Sequence, residues 1–375
     1  MSALLFIGLL GLFCCGQKSE DKVQVTMIDG ISHIQNPENP IKGKVSLELE
    51  KTLEINPYSR EDIGLRYFYS VKEKDGEVIL FDPNRSEAHR YDSQGDYIGS
   101  LIRLGQGPGE FQQYHGLRIF FQNGQIWASS SVKRAVFDKN GNFIEEQKLT
   151  TAGTSSPSFF VDKNRFISRK SRWTDDGQLR KVVMFDLVSE AEVVFFEALR
   201  EWLIRKGSSA FNDSWATPSI HYVYCPYTKR VYVAMNEAYR IHAKDLDGNT
   251  LYVIERPCKQ VTVSRKDKEI LIDWAVGNES WKWAFDAYPD KLAAIRNMAV
   301  LPRGYLAVYR ITGPKQFAVD VYDPEGKYVY VLEFPEHISL ERATFFASGF
   351  GTQETREDFP VYCEYRIKNL PKIFK

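Results

Sequence analysis

The chain has 375 residues with 49 basic and 49 acidic side chains, so its formal net charge is zero. No block of Lys and Arg stands out, which argues against nucleic acid as a partner, because phosphate binding needs clustered cations. Hydrophobic residues at 43% and aromatic residues at 14%, including 20 Tyr and 24 Phe, supply a substantial core, favour strands over helices, and fit either two ordinary domains or one large β architecture.

The chain opens on an apolar run, Ala3 to Phe13, followed by Cys14-Cys15-Gly16-Gln17-Lys18-Ser19-Glu20. The run is too short to span a bilayer and has the length of a signal-peptide core. Leu12-Phe13-Cys14-Cys15 resembles a bacterial lipobox, in which a cysteine is lipidated after cleavage. Phe13, and the lack of Lys or Arg before the run, depart from that pattern. Cys15 fits the lipidated position better than Cys14, because the residue before it should be small. On this reading residues 1–15 are a lipoprotein signal peptide, 16–43 a tether and entry segment, and 44–375 the folded body. The remaining cysteines, Cys225, Cys258 and Cys363, have neither CxxC spacing nor a paired His, so no metal site is expected from them.

One unit then recurs: a strand ending in an aromatic or Lys, Asp-x-x-Gly, and another strand. It appears at Tyr91-Asp92-Ser93-Gln94-Gly95, Phe137-Asp138-Lys139-Asn140-Gly141, Lys244-Asp245-Leu246-Asp247-Gly248 and Tyr322-Asp323-Pro324-Glu325-Gly326. Phe185-Asp186-Leu187-Val188-Ser189 is a degenerate copy. Asp suits the first position of a type I turn, and Gly suits the fourth, where φ turns positive. Each copy is therefore a bulged β-hairpin.

Further strands lie upstream of each hairpin. They include Leu117–Phe121, Glu77–Phe81, Gln125–Ala128, Arg165–Ser168, Arg230–Ala234 and Tyr305–Tyr309. About four strands per unit make a propeller blade. The turn aspartates are spaced by 46, 48, 59 and 78 residues. An insertion from about Pro257 to Arg296 accounts for the longest spacing. Within it, Ser264-Arg265-Lys266-Asp267 can cap a helix carrying Ile270, Leu271, Trp274 and Ala275 at helical spacing.

A sixth blade is expected from the two ends, with Val45–Glu50 joining Pro360–Ile367, because closure removes open sheet edges. About 330 residues over six blades is roughly 55 each, and seven blades would need shorter units than those observed. The expected fold is an all-β six-bladed β-propeller with a helical insertion before the fifth blade.

The stretch Arg103-Leu104-Gly105-Gln106-Gly107-Pro108-Gly109-Glu110-Phe111 is not a nucleotide loop. Its glycines are G-x-G-x-G, no Gly-Lys-Ser/Thr follows, and a strand comes next where a phosphate-capping helix would be needed. It connects the first blade to the second, with Gly105, Gly107 and Gly109 for sharp turns, Pro108 for stiffness and Phe111 as a plug between blades.

This loop resembles the inter-blade signature of bacterial six-bladed β-propeller lipoproteins related to NHL-repeat proteins. Asn236-Glu237-Ala238-Tyr239-Arg240-Ile241 followed by Asp245-Leu246-Asp247-Gly248 is similar to an NHL unit. The insertion before the fifth blade and Tyr365-Arg366-Ile367 also resemble that group, over most of residues 40–370. The resemblance implies a propeller tethered to the bacterial cell envelope, at its periplasmic or outer-membrane face.

A propeller binds at the mouth of its central channel. Candidate mouth residues are Tyr114, His115, Trp215, His221, Arg296 with Asn297, and Arg310. The leading expectation is a lipid-anchored binding or scaffold protein without catalysis, needing no cofactor and recognising a protein or glycan ligand. One alternative is an NHL-like metal-dependent lyase or hydrolase. Its metal would need channel histidines, and only His115 and His221 are expected near the axis, since His89 and His242 fall in third strands. Another alternative is carbohydrate binding through Trp202, Trp215, Trp281 and Trp283, residues that could equally pin inserted loops.

Overall fold

A computed structural model describes residues 22–370, other than 61–62, 64, 66–67, 74–75, 113–115, 150–154, 156, 176, 202–204, 207–208, 211–217, 277–287, 315, 336–337, 339–342, 347 and 357–358. It opens with strands β1 (Gln24–Ile28), β2 (Ile31–Gln35), β3 (Lys44–Ser46) and β4 (Leu49–Ile55). Blade one follows as β5 (Tyr69–Lys72), β6 (Val78–Asp82), β7 (Glu87–Tyr91) and β8 (Tyr97–Ile102). Blade two is β9 (Arg118–Gln122), β10 (Gln125–Ser129), β11 (Lys133–Phe137) and β12 (Phe143–Lys148). Blade three is β13 (Phe159–Phe160), β14 (Arg165–Thr174), β15 (Gly177–Asp186) and β16 (Glu192–Glu201), after which β17 (Arg205–Lys206) and β18 (Ser209–Ala210) pair as a small hairpin.

Blade four is β19 (Ile220–Cys225), β20 (Arg230–Met235), β21 (Arg240–Lys244) and β22 (Thr250–Glu255). The helix α1 (Arg265–Val276) precedes blade five, β23 (Ile295–Val300), β24 (Leu306–Gly313), β25 (Gln316–Tyr322) and β26 (Tyr328–Glu333). Blade six takes β27 (Thr344–Phe346), β28 (Gly349–Arg356) and β29 (Phe359–Ile367) from the C-terminal end and β4 from the N-terminal end. The fold is a six-bladed β-propeller, as expected. Ser264 caps α1 reciprocally with Asp267, its Oγ accepting from Asp267 N at 3.2 Å and donating to Asp267 Oδ2 at 2.7 Å. Among the described residues no helix is long and apolar enough to cross a membrane.

Packing explains the ring. Side chains alternate across a strand, and both faces of the middle strands are buried. On β20, Val231 and Val233 pack towards blade three, while Tyr232 and Ala234 pack towards blade five. On β6, Val78 and Leu80 face blade six, while Ile79 and Phe81 face blade two. One apolar cluster fills each of the six blade interfaces.

The Asp-x-x-Gly hairpins take the expected form. The Oδ1 of Asp138 accepts from the backbone N of Asn140 at 2.9 Å and of Asn142 at 2.8 Å. Asp92, Asp245 and Asp323 repeat both bonds. Each turn also rests on the preceding blade. Arg90 of blade one donates to the carbonyls of Lys139 (2.8 Å) and Asn140 in the blade-two turn. Arg230 of blade four likewise donates to Pro324 O at 2.6 Å in the blade-five turn.

The N-terminal end departs from expectation. Val45–Glu50 is not one strand. Lys44–Ser46 adds to blade five, parallel to β26, and Leu49–Ile55 is the strand that completes blade six. Leu47 lies between them, buried with blades five and six, so the chain changes sheet there. Part of the expected 16–43 tether is also folded: β1 and β2 form a hairpin whose β2 runs parallel to β22 on blade four. Asn36 anchors it, donating to Gly326 O at 3.1 Å and accepting from Tyr328 N at 2.8 Å.

Gly141 has φ +86°, and a Cβ there would press on the Arg90 guanidinium, whereas Gly124 has φ +72° with open space around it. Gly124→Ala should therefore cost about 1 kcal/mol, the left-handed backbone penalty alone. Gly141→Ala should cost roughly 1 kcal/mol more, through the displaced arginine. Urea denaturation of the two variants checks the difference; equal losses would mean that the turn does not depend on its neighbour.

Candidate functional site

In a propeller each innermost strand is entered from the previous blade at the same end of the channel, so the first residues of β5, β9, β13, β19, β23 and β27 share one mouth. Arg118 opens β9, His221 is second in β19, and Arg296 is second in β23. Blade three reaches the same mouth with its second and third strands. Ten-residue β14 and β15 pair from Arg165↔Asp186 to Thr174↔Gly177, well past two-residue β13. Arg169 pairs opposite Val182, which places it on the face shared with Arg180 and turned towards blade four.

Aromatic and hydroxyl groups fill the spaces between these cations. The Arg118 guanidinium lies 5.4 Å from the Tyr69 ring centroid. Tyr222 packs edge-on to Phe159 at 6.1 Å, and its hydroxyl is 2.7 Å from Ser158 Oγ. The charges acting on His221 are the guanidinium groups of Arg296 and Arg169, and Tyr222 feels Arg169 and Arg118. Burial, and then those two arginines, push the His221 imidazole down to about 4. Its Nε2 is shut off from solvent and has no hydrogen-bond partner among the described residues. Burial and then Arg169 pull Arg180 down to about 10, so it remains charged at neutral pH.

Of the sequence candidates, His221, Arg296 and Asn297 stand at this mouth. Tyr114, His115, Trp215 and the other inserted tryptophans, Trp202, Trp281 and Trp283, lie outside the described residues, as does Cys15. Arg310 belongs to a different arrangement. Its Nε donates to the buried Asp320 carboxylate at 2.9 Å, and Arg256 Nη1 donates to the same oxygen at 2.7 Å. Tyr239 and Tyr328 hydroxyls complete that carboxylate at 2.8 and 3.0 Å, bracing blade four against blade five.

Arg118, Arg169 and Arg180 escaped the sequence reading. Asp175 and Gly177 were the available signal, a turn that lengthens the blade-three hairpin and carries Arg169 and Arg180 to the mouth.

The glycine loop follows β8. Gly107 N donates to Glu110 Oε2 at 2.9 Å, Gly109 N donates to Glu146 Oε2 at 3.2 Å, and Phe111 is buried in the cluster between blades one and two. Glu110 of the loop and Glu146 of β12 occupy the amides that a phosphate would need. Cys225, Cys258 and Cys363 are all free thiols. Burial pushes the Cys258 thiol up and Cys363 to about 12, which disfavours a thiolate at either. Among the described residues no three His, Cys, Asp or Glu side chains are grouped to hold a metal ion.

Residues 55–268, more than half of the chain, match the DUF5128 family of 6-bladed beta-propellers. The chain belongs to that family. No match was found among curated proteins. Two solved structures share the DUF5128 chain's architecture. One is a Bacteroides fragilis protein classed as exported, 14% identical, with a TM-score of 0.51 over 89% of this chain and 98% of that one. The other is a DUF4221 family member from Bacteroides vulgatus, 11% identical, with a TM-score of 0.51 over 93% and 99%. At these identities the likeness is one of fold.

The depressed His221 sets a pH dependence. Its folded pKa lies below the unfolded value of about 6.5, so the unfolded chain binds the proton first as pH falls. Stability contributed by neutral His221 is intact above that value and declines towards pH 4, by up to about 3 kcal/mol. His221→Gln should therefore lose less stability than the wild type between pH 7 and pH 4, measured by denaturation in chloride buffers. Parallel losses would show that His221 titrates normally.

Proposed function

We propose that this DUF5128 protein is an exported, lipid-anchored binding protein of the bacterial cell envelope. It recognises its ligand, without catalysis, at the channel mouth formed by the starts of the innermost strands. The observation that carries this reading is the gathering of Arg118, Arg169, His221 and Arg296 from four separate blades at one mouth. Packing alone would not bring like charges together there, because their mutual repulsion is unfavourable.

Export is supported by the apolar run at Ala3–Phe13 and by the Bacteroides fragilis neighbour classed as exported. Cys15, a few residues before the first strand, is the proposed attachment point for lipid. Cys15→Ser should move the protein from the membrane fraction to the soluble fraction; continued membrane association would remove the anchor from the account.

Recognition at the mouth is tested with a photo-crosslinking amino acid in living cells. Asn297 is exposed at the mouth, and Gln94 is exposed on a blade-one turn at the other end of the channel. A discrete adduct is expected from position 297 and none from 94. Adducts from 94 alone, or from neither position, would contradict the reading.

A further inference from the structure

We infer that the mouth receives a multiply charged oxyanion, a phosphate or sulfate ester group on the ligand, held by Arg118 of blade two, Arg169 of blade three and Arg296 of blade five above His221 of blade four. This deepens the recognition proposed above and rests on it.

Several buried or half-buried cations of the chain are neutralised by carboxylates. Arg90 makes two bonds to the Glu77 carboxylate, at 2.6 and 2.8 Å. Arg256 and Arg310 share Asp320. Lys133 pairs with Glu146 at 2.9 Å, and Lys72 pairs with Glu364. Half-buried Arg118 and exposed Arg169 have no carboxylate partner among the described residues; unlike Arg134 and Arg230, whose guanidinium groups are spent on the Lys163 and Pro324 carbonyls, Arg118 lies against the face of Tyr69. Among the described residues, the charges acting on His221, Tyr222 and Arg180 at this mouth are guanidinium groups. Positive charge from three separate blades is thus gathered at one place.

Guanidinium groups brought together in this way favour the entry of an anion. The planar guanidinium fork suits phosphate and sulfate oxygens, and several forks from different directions favour a group with three or more acceptor oxygens. His221 supplies a second, independent sign. Its Nε2 is buried beside Arg296 and Arg169 and has no partner among the described residues, and a buried polar atom in that state calls for a partner such as a water or an ion. Arg180, also nearly buried, is fixed by Gln178 at 2.7 Å and adds its charge from behind.

The test is calorimetric titration of the full chain with inorganic phosphate and with sulfate, at constant ionic strength set by chloride. One saturable site is expected. Arg118→Gln and Arg169→Gln should each weaken it about tenfold or more, whereas Lys229→Asn, on a turn at the opposite mouth, should leave it unchanged. Thermal midpoints in chloride identify any variant that fails to fold. A rise in the wild-type midpoint with phosphate or sulfate, but not with chloride, tests the site without substitution. Preference for phosphate would assign a phosphate ester and preference for sulfate a sulfate ester. Absence of saturable binding to either anion, or binding indifferent to both arginine variants, overturns the inference. If neither anion binds while the adduct at position 297 persists, mouth recognition stands and the anionic class falls. Loss of both removes the two readings together.

Discussion

The pairing of β4 with β29, Leu49↔Ile367 through Ile55↔Tyr362, is the constraint on which the rest of the molecule depends. Every blade buries both faces of its middle strands, so a ring left open would expose two apolar sheets. Leu53 and Ile55 on β4 join Tyr362 of the same blade to Val78, Leu80 and Tyr91 of blade one. One N-terminal strand therefore completes the last sheet and supplies its contact with the first. The shared mouth exists because this closure holds the six innermost strands around one axis.

Apolar interfaces alone would let neighbouring blades slide, since hydrophobic packing is non-directional. Polar keys fix the register. Asp320 receives bonds from Arg256, Arg310, Tyr239 and Tyr328, drawn from blades four and five and the connector after β22. Glu364 is satisfied by Tyr362 at 3.0 Å and by Lys72 across the blade-six to blade-one interface. A buried ion pair is often no better than an apolar one in net stability. Its directionality is the useful property here.

Much of the fold was legible because its signals are local. The Asp92, Asp138, Asp245 and Asp323 turns each need four or five consecutive residues, and the Ser264–Asp267 cap needs four. What stayed hidden depends on partners far away in sequence. Nothing between residues 44 and 50 says that Val45 pairs with Leu332 while Leu49 pairs with Ile367. Parallel addition of β2 to blade four and β3 to blade five has no hairpin turn to announce it. Arg310 looked like a channel residue by position, and its engagement depends on Asp320 ten residues later and Arg256 in the preceding connector. Arg118 and Arg169 were missed for the same reason, since their meaning comes from blades that converge in space.

The mouth is thus a product of closure, with charges that no local motif encodes. The most direct examination is hydrogen exchange of the full chain, with and without phosphate or sulfate at matched ionic strength. The account predicts slower exchange at the starts of β9, β19 and β23 and along β14 near Arg169, with the turns at Asp92, Asp138 and Asp323 unchanged. Protection centred on those turns, or no protection at the innermost strands, would contradict it.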